Sequence, residues 1–345
     1  MIRIIVFLLV FSVIIAVHEL GHFLAARAMG IAVEEFYLGM GPVLFRVPGK
    51  HTVFSLRLLP IGGACVMKDE DAEQTADDSF NAKKPWQRFL TVLAGPVMNF
   101  VLAFLAAMVL VAAAGTDPAM VSSVTDGYPA QEAGISGGDR ICSLDGRSVH
   151  LFREIQLYLL LHPGKPVTIG YVHENSRCET VLQPRLDEGS GSYRIGIVST
   201  MQDVKPNGIP ELLKFSFFEV RYNISAVFDS LAYLFTGRVT LDDFMGPVGL
   251  AGMMGDSVKE ASAYGLLSIV ITIVNFIVML SSNLGVMNLL PFPALDGGRL
   301  VFLAAEMILG RPLNRKLEEY INLAGFGILI AFMMVIMVND FFRLL

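Results

Sequence analysis

Residues 4–26 read IIVFLLVFSVIIAVHELGHFLAA, a run without charge from Ile4 to Val17 that stays apolar to about Ala26 apart from His18, Glu19 and His22. A helix needs roughly 20 such residues to cross the hydrocarbon of a bilayer, and this run supplies them. Three further windows lack charge over that length: Phe89 to Thr116, Ala261 to Leu295 and Tyr320 to Asn339. The third is too long for one straight helix and is broken near its end by Pro291 and Pro293. The composition agrees, with 54% hydrophobic and only 17% charged residues in 345, where soluble chains carry about 25% charged residues. A net charge of -6 leaves no basic footprint for a phosphate backbone, which excludes nucleic acid as a partner. Three scattered cysteines, Cys65, Cys142 and Cys178, exclude a disulfide scaffold and a four-cysteine metal site.

His18-Glu19-Leu20-Gly21-His22 is an H-E-x-x-H motif, expected by chance about 0.005 times in a chain of this composition. On a helix, positions i and i+4 differ by only about 40°, so both imidazoles point from one face at one ion. Glu19 stands beside the first of them, placed to take a proton rather than to bind metal. A buried polar network is the plainer reading, but titratable groups inside a membrane span are costly unless paired or metal-bound. His18 lies about 21 Å along the helix from Ile4, within a hydrocarbon core of about 30 Å. Reading residues 1–28 as a cleaved signal peptide would discard this motif.

A catalytic zinc takes three protein ligands and leaves one position open. His51, His150, His162 and His173 fall outside the spans, and the remaining acid near membrane depth is Asp296, in Asn288-Leu-Leu-Pro-Phe-Pro-Ala-Leu-Asp296-Gly-Gly. Asp296 has two readings: a third ligand, or the N-cap of a helix from about Gly297 to Leu309. Lys and Arg crowd the loops after the first span (Arg46, Lys50, Arg57, Lys68, Lys83, Lys84, Arg88) and before the fourth (Arg299, Arg311, Arg315, Lys316). The positive-inside rule makes both loops cytosolic and puts the termini and the inserted domain outside.

The paired motifs resemble those of the site-2 proteases, the zinc intramembrane metalloproteases, and in particular the bacterial RseP/RasP-like group. Further segments are similar in order along the chain: Leu59-Pro60-Ile61-Gly62-Gly63, Phe80 to Arg88, Ala94-Gly95-Pro96-Val97-Met98-Asn99-Phe100, and Gly246-Pro247-Val248-Gly249. The resemblance implies one zinc ion held by His18, His22 and Asp296, Glu19 as the catalytic general base, Asn288 near the substrate and Asn99 lining the site. Val53 to Leu59 alternates partly, with Phe54, Leu56 and Leu58 on one face, and reads as the first strand of this loop. With the resemblance it becomes a membrane-associated β-hairpin that holds substrate by strand addition near Gly62 and Gly63, where the glycine pair alone reads as a turn. This chain departs from the family after those glycines, with Ala64-Cys65-Val66-Met67.

Pro129 to Ile141 followed by Asp145-Gly146 looks like a circularly permuted PDZ domain, with a helix near His150 to Leu161, a hairpin at Glu174 to Arg177 and a last strand at Tyr193 to Val198. Such a domain takes a chain end, here the new C-terminus of a pre-cleaved substrate, or acts as a size filter. Cys142 and Cys178 could pair within it or stay free. Glu211 to Phe235 suits an interfacial amphipathic helix on the outer surface, a gate, or a packing strut.

The expected fold is an α-helical polytopic membrane protein with four transmembrane helices, an inserted α/β PDZ domain and the hairpin. Its expected parts are 1–116 and 264–345 as membrane core, 117–200 as PDZ domain and 201–263 as linker or gate. The expected activity is zinc-dependent cleavage within transmembrane segments of single-span proteins in a bacterial cytoplasmic (inner) membrane, with anti-sigma factors and signal-peptide remnants as the family's usual substrates. The active site is expected within the lipid bilayer, toward the cytosol. The alternatives are a PDZ-bearing membrane scaffold or chaperone with a structural metal, and, more weakly, a metal transporter.

Overall fold

The computed structural model describes residues 2–70, 76–199, 204–234 and 245–344. It comprises two compact units, one of Met1–Ala106 with Val239–Leu345, the other of Ala107–Arg238. Among the described residues four helices are long and apolar enough to cross a membrane: Ile4–Ala28, Pro85–Ala114, Leu266–Leu289 and Lys316–Phe342. The protein is a mostly helical membrane protein with an inserted PDZ-like α/β domain.

In the first unit, α1 (Ile2–Ala28) leads into β1 (Val33–Pro48) and β2 (Val53–Met67). The sequence expectation of a first strand at Val53 is corrected here, because a full strand precedes it. Glu34, Glu35 and the interruption Gly39-Met40-Gly41-Pro42 hide that strand from an alternation test. The hairpin folds back on itself. Glu35 to Leu38 have partners in both Val53 to Leu56 and Val66 to Gly63, while Phe45 to Pro48 pair with Leu56 to Val53. Gly62 and Gly63 therefore lie inside β2, and Gly62 takes φ of 83°, a bend only glycine makes without strain. Met40, Phe45, Val47, Leu58 and Ile61 are exposed on this hairpin, which suits contact with lipid rather than water.

The second span is α2 (Pro85–Ala114), with Pro96 inside it. The inserted domain then runs β3 (Val121–Val124), α3 (Pro129–Glu132), β4 (Arg140–Leu144), β5 (Arg147–Ser148), α4 (Phe152–Leu161), β6 (Val167–His173), β7 (Ser176–Leu182), β8 (Arg185–Asp187), β9 (Ser192–Arg194) and β10 (Ile197–Ser199). Its strands form a sheet of order β5-β4-β6-β7, a β10-β3 pair and a β8-β9 pair around a core that includes Ile135, Ile141, Leu144, Ile155 and Ile169. The strand expected from Tyr193 to Val198 is split. Gly196 has φ of 84°, and the carbonyls of Ile195 and Gly196 accept Ala130 N–H and Thr125 N–H instead of continuing a ladder. Cys142 and Cys178 are free thiols. They lie on β4 and β7 with β6 between, about 10 Å apart at two strand spacings, which exceeds the reach of a disulfide.

Next comes α5 (Ile209–Leu234), whose sequence counterpart ended at Phe235, a residue outside those described. Its charged face docks on the domain: Arg153 joins Asp117 and the buried Glu219, and Arg221 joins Glu154 and the Ser148 carbonyl. Ile209, Leu213 and Phe217, four residues apart, form an exposed apolar stripe. The helix thus docks by its charged face, with its apolar stripe turned away from the docking partner.

Back in the first unit, α6 (Pro247–Ser262), α7 (Leu266–Leu289), α8 (Asp296–Leu309) and α9 (Arg315–Leu344) complete the chain. The long uncharged window thus divides: its first residues end α6, and α7 is the span. Phe7, Val10 and Ile14 of α1 pack with Ala251 and Met254 of α6 and Phe276 of α7.

Candidate metal centre

His18 and His22 project from one face of α1, their Nε2 atoms 3.2 Å apart. Asp296 Oδ2 lies 3.1 Å from His18 Nε2 and 3.4 Å from His22 Nε2. Both imidazoles are buried. These three ligand atoms form the cluster of possible metal donors among the described residues. Ligand atoms about 2.05 Å from a tetrahedral ion stand about 3.3 Å from one another, so the spacing of this set fits zinc without rearrangement. The hydrogen bonding agrees, because Asp296 Oδ2 is buried and has no hydrogen-bond partner among the described residues.

The imidazoles are held from behind. The Thr91 carbonyl lies 2.9 Å from His22 Nδ1; a carbonyl only accepts, so Nδ1 carries the proton and Nε2 presents its lone pair to the centre. Asn99 lies 3.1 Å from His18 Nδ1 through its amide nitrogen, while its Oδ1 is buried without a partner among the described residues. Turned over, the amide accepts from Nδ1–H and again leaves Nε2 free for metal. Asn288 Nδ2 stands 3.5 Å from His18 Nε2.

Glycines bring the elements this close. A Cβ on Gly21 would collide with the Ala94 carbonyl, and one on Gly95 would collide with His22 Nε2. The Ala94-Gly95-Pro96 segment is therefore the floor under the two imidazoles. Gly297 and Gly298 do the same for Asp296: a Cβ on the first would strike the Leu290 carbonyl, and on the second would stand 2.5 Å from the Phe292 carbonyl. Asp296 is the first residue of α8, the N-cap is Leu295, and no side chain caps that end. The capping alternative for Asp296 is thus not the geometry found.

Glu19 lies on the adjoining face of α1, where its Oε2 accepts the Cys65 N–H of β2 at 2.9 Å. Gly63 permits this approach; a Cβ there would sit 3.4 Å from Glu19 Cγ and 3.2 Å from Ile15 Cγ2. Among the described residues Gly63 to Met67 has a β-partner on one side only. Thr91, Gly95 and the Cys65 N–H were not singled out by the sequence. Two act through backbone groups, which leave no side-chain signature, while Gly95 was visible only as part of a motif.

A histidine pair and a carboxylate converging between membrane helices, with a glutamate beside them, define a class: zinc metalloproteases that work within a membrane. The chain belongs to peptidase family M50, whose profile matches residues 6–332. A Clostridium perfringens protein provisionally named a zinc metalloprotease is 39% identical over 96% of each chain. The zinc metalloprotease RasP of Bacillus licheniformis is 28% identical, covering 99% of each chain. The regulator of sigma-W protease RasP of Bacillus subtilis is 27% identical over 99% of this chain and 98% of that one. A PDZ domain of an SdrC-like protein from Listeria monocytogenes is 28% identical over 24% of this chain and 88% of that chain, with a TM-score of 0.23.

Proposed function

We propose that His18, His22 and Asp296 hold the zinc of this intramembrane protease and that Glu19 is its general base. The observation that carries the reading is the donor spacing of 3.1–3.4 Å, with Glu19 next to His18 in sequence. When bound, zinc polarises the scissile carbonyl and acidifies the attacking water. Glu19 takes the proton of that water and returns it to the leaving amide nitrogen, the Cys65 N–H fixing which carboxylate oxygen stays idle. Asn288 and Asn99 border His18, where they orient the imidazole and the peptide to be cut. The edge from Gly63 to Met67, paired on one side only and with its Cys65 N–H held by Glu19, offers its remaining outward groups to an unwound substrate segment as an added strand, which exposes a peptide bond that a helix would shield by its own hydrogen bonds.

The substrates on this reading are single-span membrane proteins of a bacterial cytoplasmic membrane, anti-sigma factors among them, as the name of the Bacillus subtilis relative suggests. Their newly cut C-terminus would be taken by the domain of residues 117–200, outside the membrane. On this reading the metal centre faces the cytosolic side, which the Lys and Arg content of the loops supports. Residues 201–263 act as linker or gate, with α5 lying at the outer surface through Ile209, Leu213 and Phe217. The boundary at 200–201 lies outside the described residues. A structural zinc would take four protein donors; three converge here among the described residues, which favours catalysis over a scaffold.

The test is zinc analysis and cleavage of a single-span reporter by the purified protein in detergent. One zinc per chain and cleavage within the reporter's span are expected. His18→Ala and His22→Ala should each lose both; stoichiometric zinc in either variant would place the ligands elsewhere.

A further inference from the structure

Gly246-Pro247-Val248-Gly249 stands out in the sequence, and the zinc chemistry makes no use of it. In the structure it is the N-terminus of α6, with Gly246 as N-cap and Pro247 as the first helical residue. A glycine has no side chain with which to cap the exposed N–H groups of a helix start, so the cap must come from elsewhere. It comes from α9, 94 residues later. Asp340 Oδ1 accepts Gly246 N–H at 3.2 Å and Oδ2 accepts Gly249 N–H at 2.8 Å. Asp340 is 2% exposed.

The two glycines are the residues this contact needs. A Cβ on Gly246 would stand 2.6 Å from Asp340 Oδ2, and one on Gly249 would stand 3.1 Å from Oδ1. The motif is a socket for one carboxylate, placed where the partial positive charge of the helix end also favours it.

What the socket holds lies next to the metal centre. Met254 of α6 and Ile14 of α1 are both fully buried in one cluster with Phe7, Val10 and Phe276. Ile14 is one helical turn before His18, about 6 Å along α1. So α6 walls off α1 immediately beyond the first metal-binding imidazole, and Asp340 fixes the end of that wall.

We infer that Asp340 is a positioning residue: its carboxylate, seated in the Gly246–Gly249 socket, locks α6 against α1 and so keeps the metal centre closed on that side. The inference rests on the zinc reading above for its second readout but not for its first. The first readout is backbone hydrogen exchange of α6 in the purified full chain; the second is the rate of zinc release to excess water-soluble chelator.

Asp340→Ala should speed exchange over residues 246–254 and zinc release by at least about 10-fold each, with the initial zinc content unchanged. Asp340→Asn keeps a carbonyl acceptor and loses the charge, so it should fall between. Gly249→Ala should shift exchange in the same direction as Asp340→Ala in the parent chain and add less once Asp340 is alanine, because the overlap with Asp340 is then gone and only that with Met245 Cγ, at 2.9 Å, remains. Should Asp340→Ala fail to fold, Asp340→Asn and Gly249→Ala carry the same test. Unchanged α6 exchange in these variants overturns the lock. Faster exchange with unchanged zinc release overturns the closure. A parent chain without zinc would sink the metal reading, while α6 exchange would still decide the lock.

Discussion

At the scale of residues, the site divides into side chains the sequence could reveal and backbone atoms it could not. His18, Glu19 and His22 follow from helical spacing, and Asp296 from the proline-broken Asn288 to Gly298 segment that pairs with that motif in the family it resembles. The Thr91 carbonyl and the Cys65 N–H belong to residues whose side chains have no part in the site, so nothing in their identity marks them. With Glu19 as the base proposed above and not a ligand, Glu19→Gln should leave zinc stoichiometric while cleavage falls by at least about 10³-fold. Wild-type turnover in that variant would end the proposed mechanism. Gly95→Ala gives a sharper contrast. Alanine in a helix interior is worth up to about 1 kcal/mol over glycine, yet here its Cβ would collide with His22 Nε2. The overlap offsets that gain, so the variant should be no more heat-stable than the parent and should lose zinc affinity by at least about 10-fold, read by competitive chelation. Unchanged affinity would mean that the floor under the imidazoles is not as tight as drawn.

At the scale of elements, length and charge carried more than alternation did. The helices were legible because a membrane span is a long, uncharged run. The hairpin was half legible: β1 carries Glu34, Glu35, two positive-φ glycines and Pro42, which break the two-residue period that marks a strand. The docking of α5 was hidden, since which face of an amphipathic helix meets its neighbour depends on what that neighbour offers. Here it offers Arg153 and Glu154, and the charged face wins. His150 stacks on Phe218 of this helix, ring centroids 3.9 Å apart and 8° from parallel. Burial, reinforced by the nearby Arg221 guanidinium, pushes the His150 imidazole below its usual range. A histidine with a depressed folded pKa contributes stability above its unfolded pKa of about 6.5, and that stability is lost as pH falls through the folded value. The protection factors of the α5 amides, exchange rates divided out by their intrinsic pH dependence, should therefore fall between pH 7 and pH 5. His150→Phe keeps the stack and should flatten that dependence. His173, raised by its bond to Asp139 at 2.8 Å, works in the opposite sense and stays in place as an internal control.

At the scale of the molecule, the sequence order of spans and insert was legible because composition changes at Asp117, whereas the tie from Asp340 to α6 joins residues no local pattern relates. The same scale offers a test of how self-contained the metal centre is. His18, His22, Asp296, Glu19, Asn99, Thr91 and Asn288 all belong to the unit of Met1–Ala106 with Val239–Leu345. The inserted domain has its own core and begins and ends at neighbouring points. Thr116 N–H donates to the Val204 carbonyl at 3.0 Å, and Val204 N–H donates back to Thr116 at 2.8 Å. Residues paired in this way stand about 5.5 Å apart at Cα, a gap that a Gly-Ser linker of about 7 Å spans. Replacing residues 117–203 by Gly-Ser should thus leave α2 and the metal centre undisturbed. The deletion variant should bind one zinc per chain and cleave a single-span reporter. Arg153 and Glu154 go with the domain, so their ion pairs to Glu219 and Arg221 are lost and α5 should exchange faster. If the inserted domain screens or captures substrates, the variant should also cut spans whose outer domains the parent refuses. Loss of zinc from an otherwise folded deletion variant would mean that the domain helps to build the centre, which the distances around His18, His22 and Asp296 give no reason to expect.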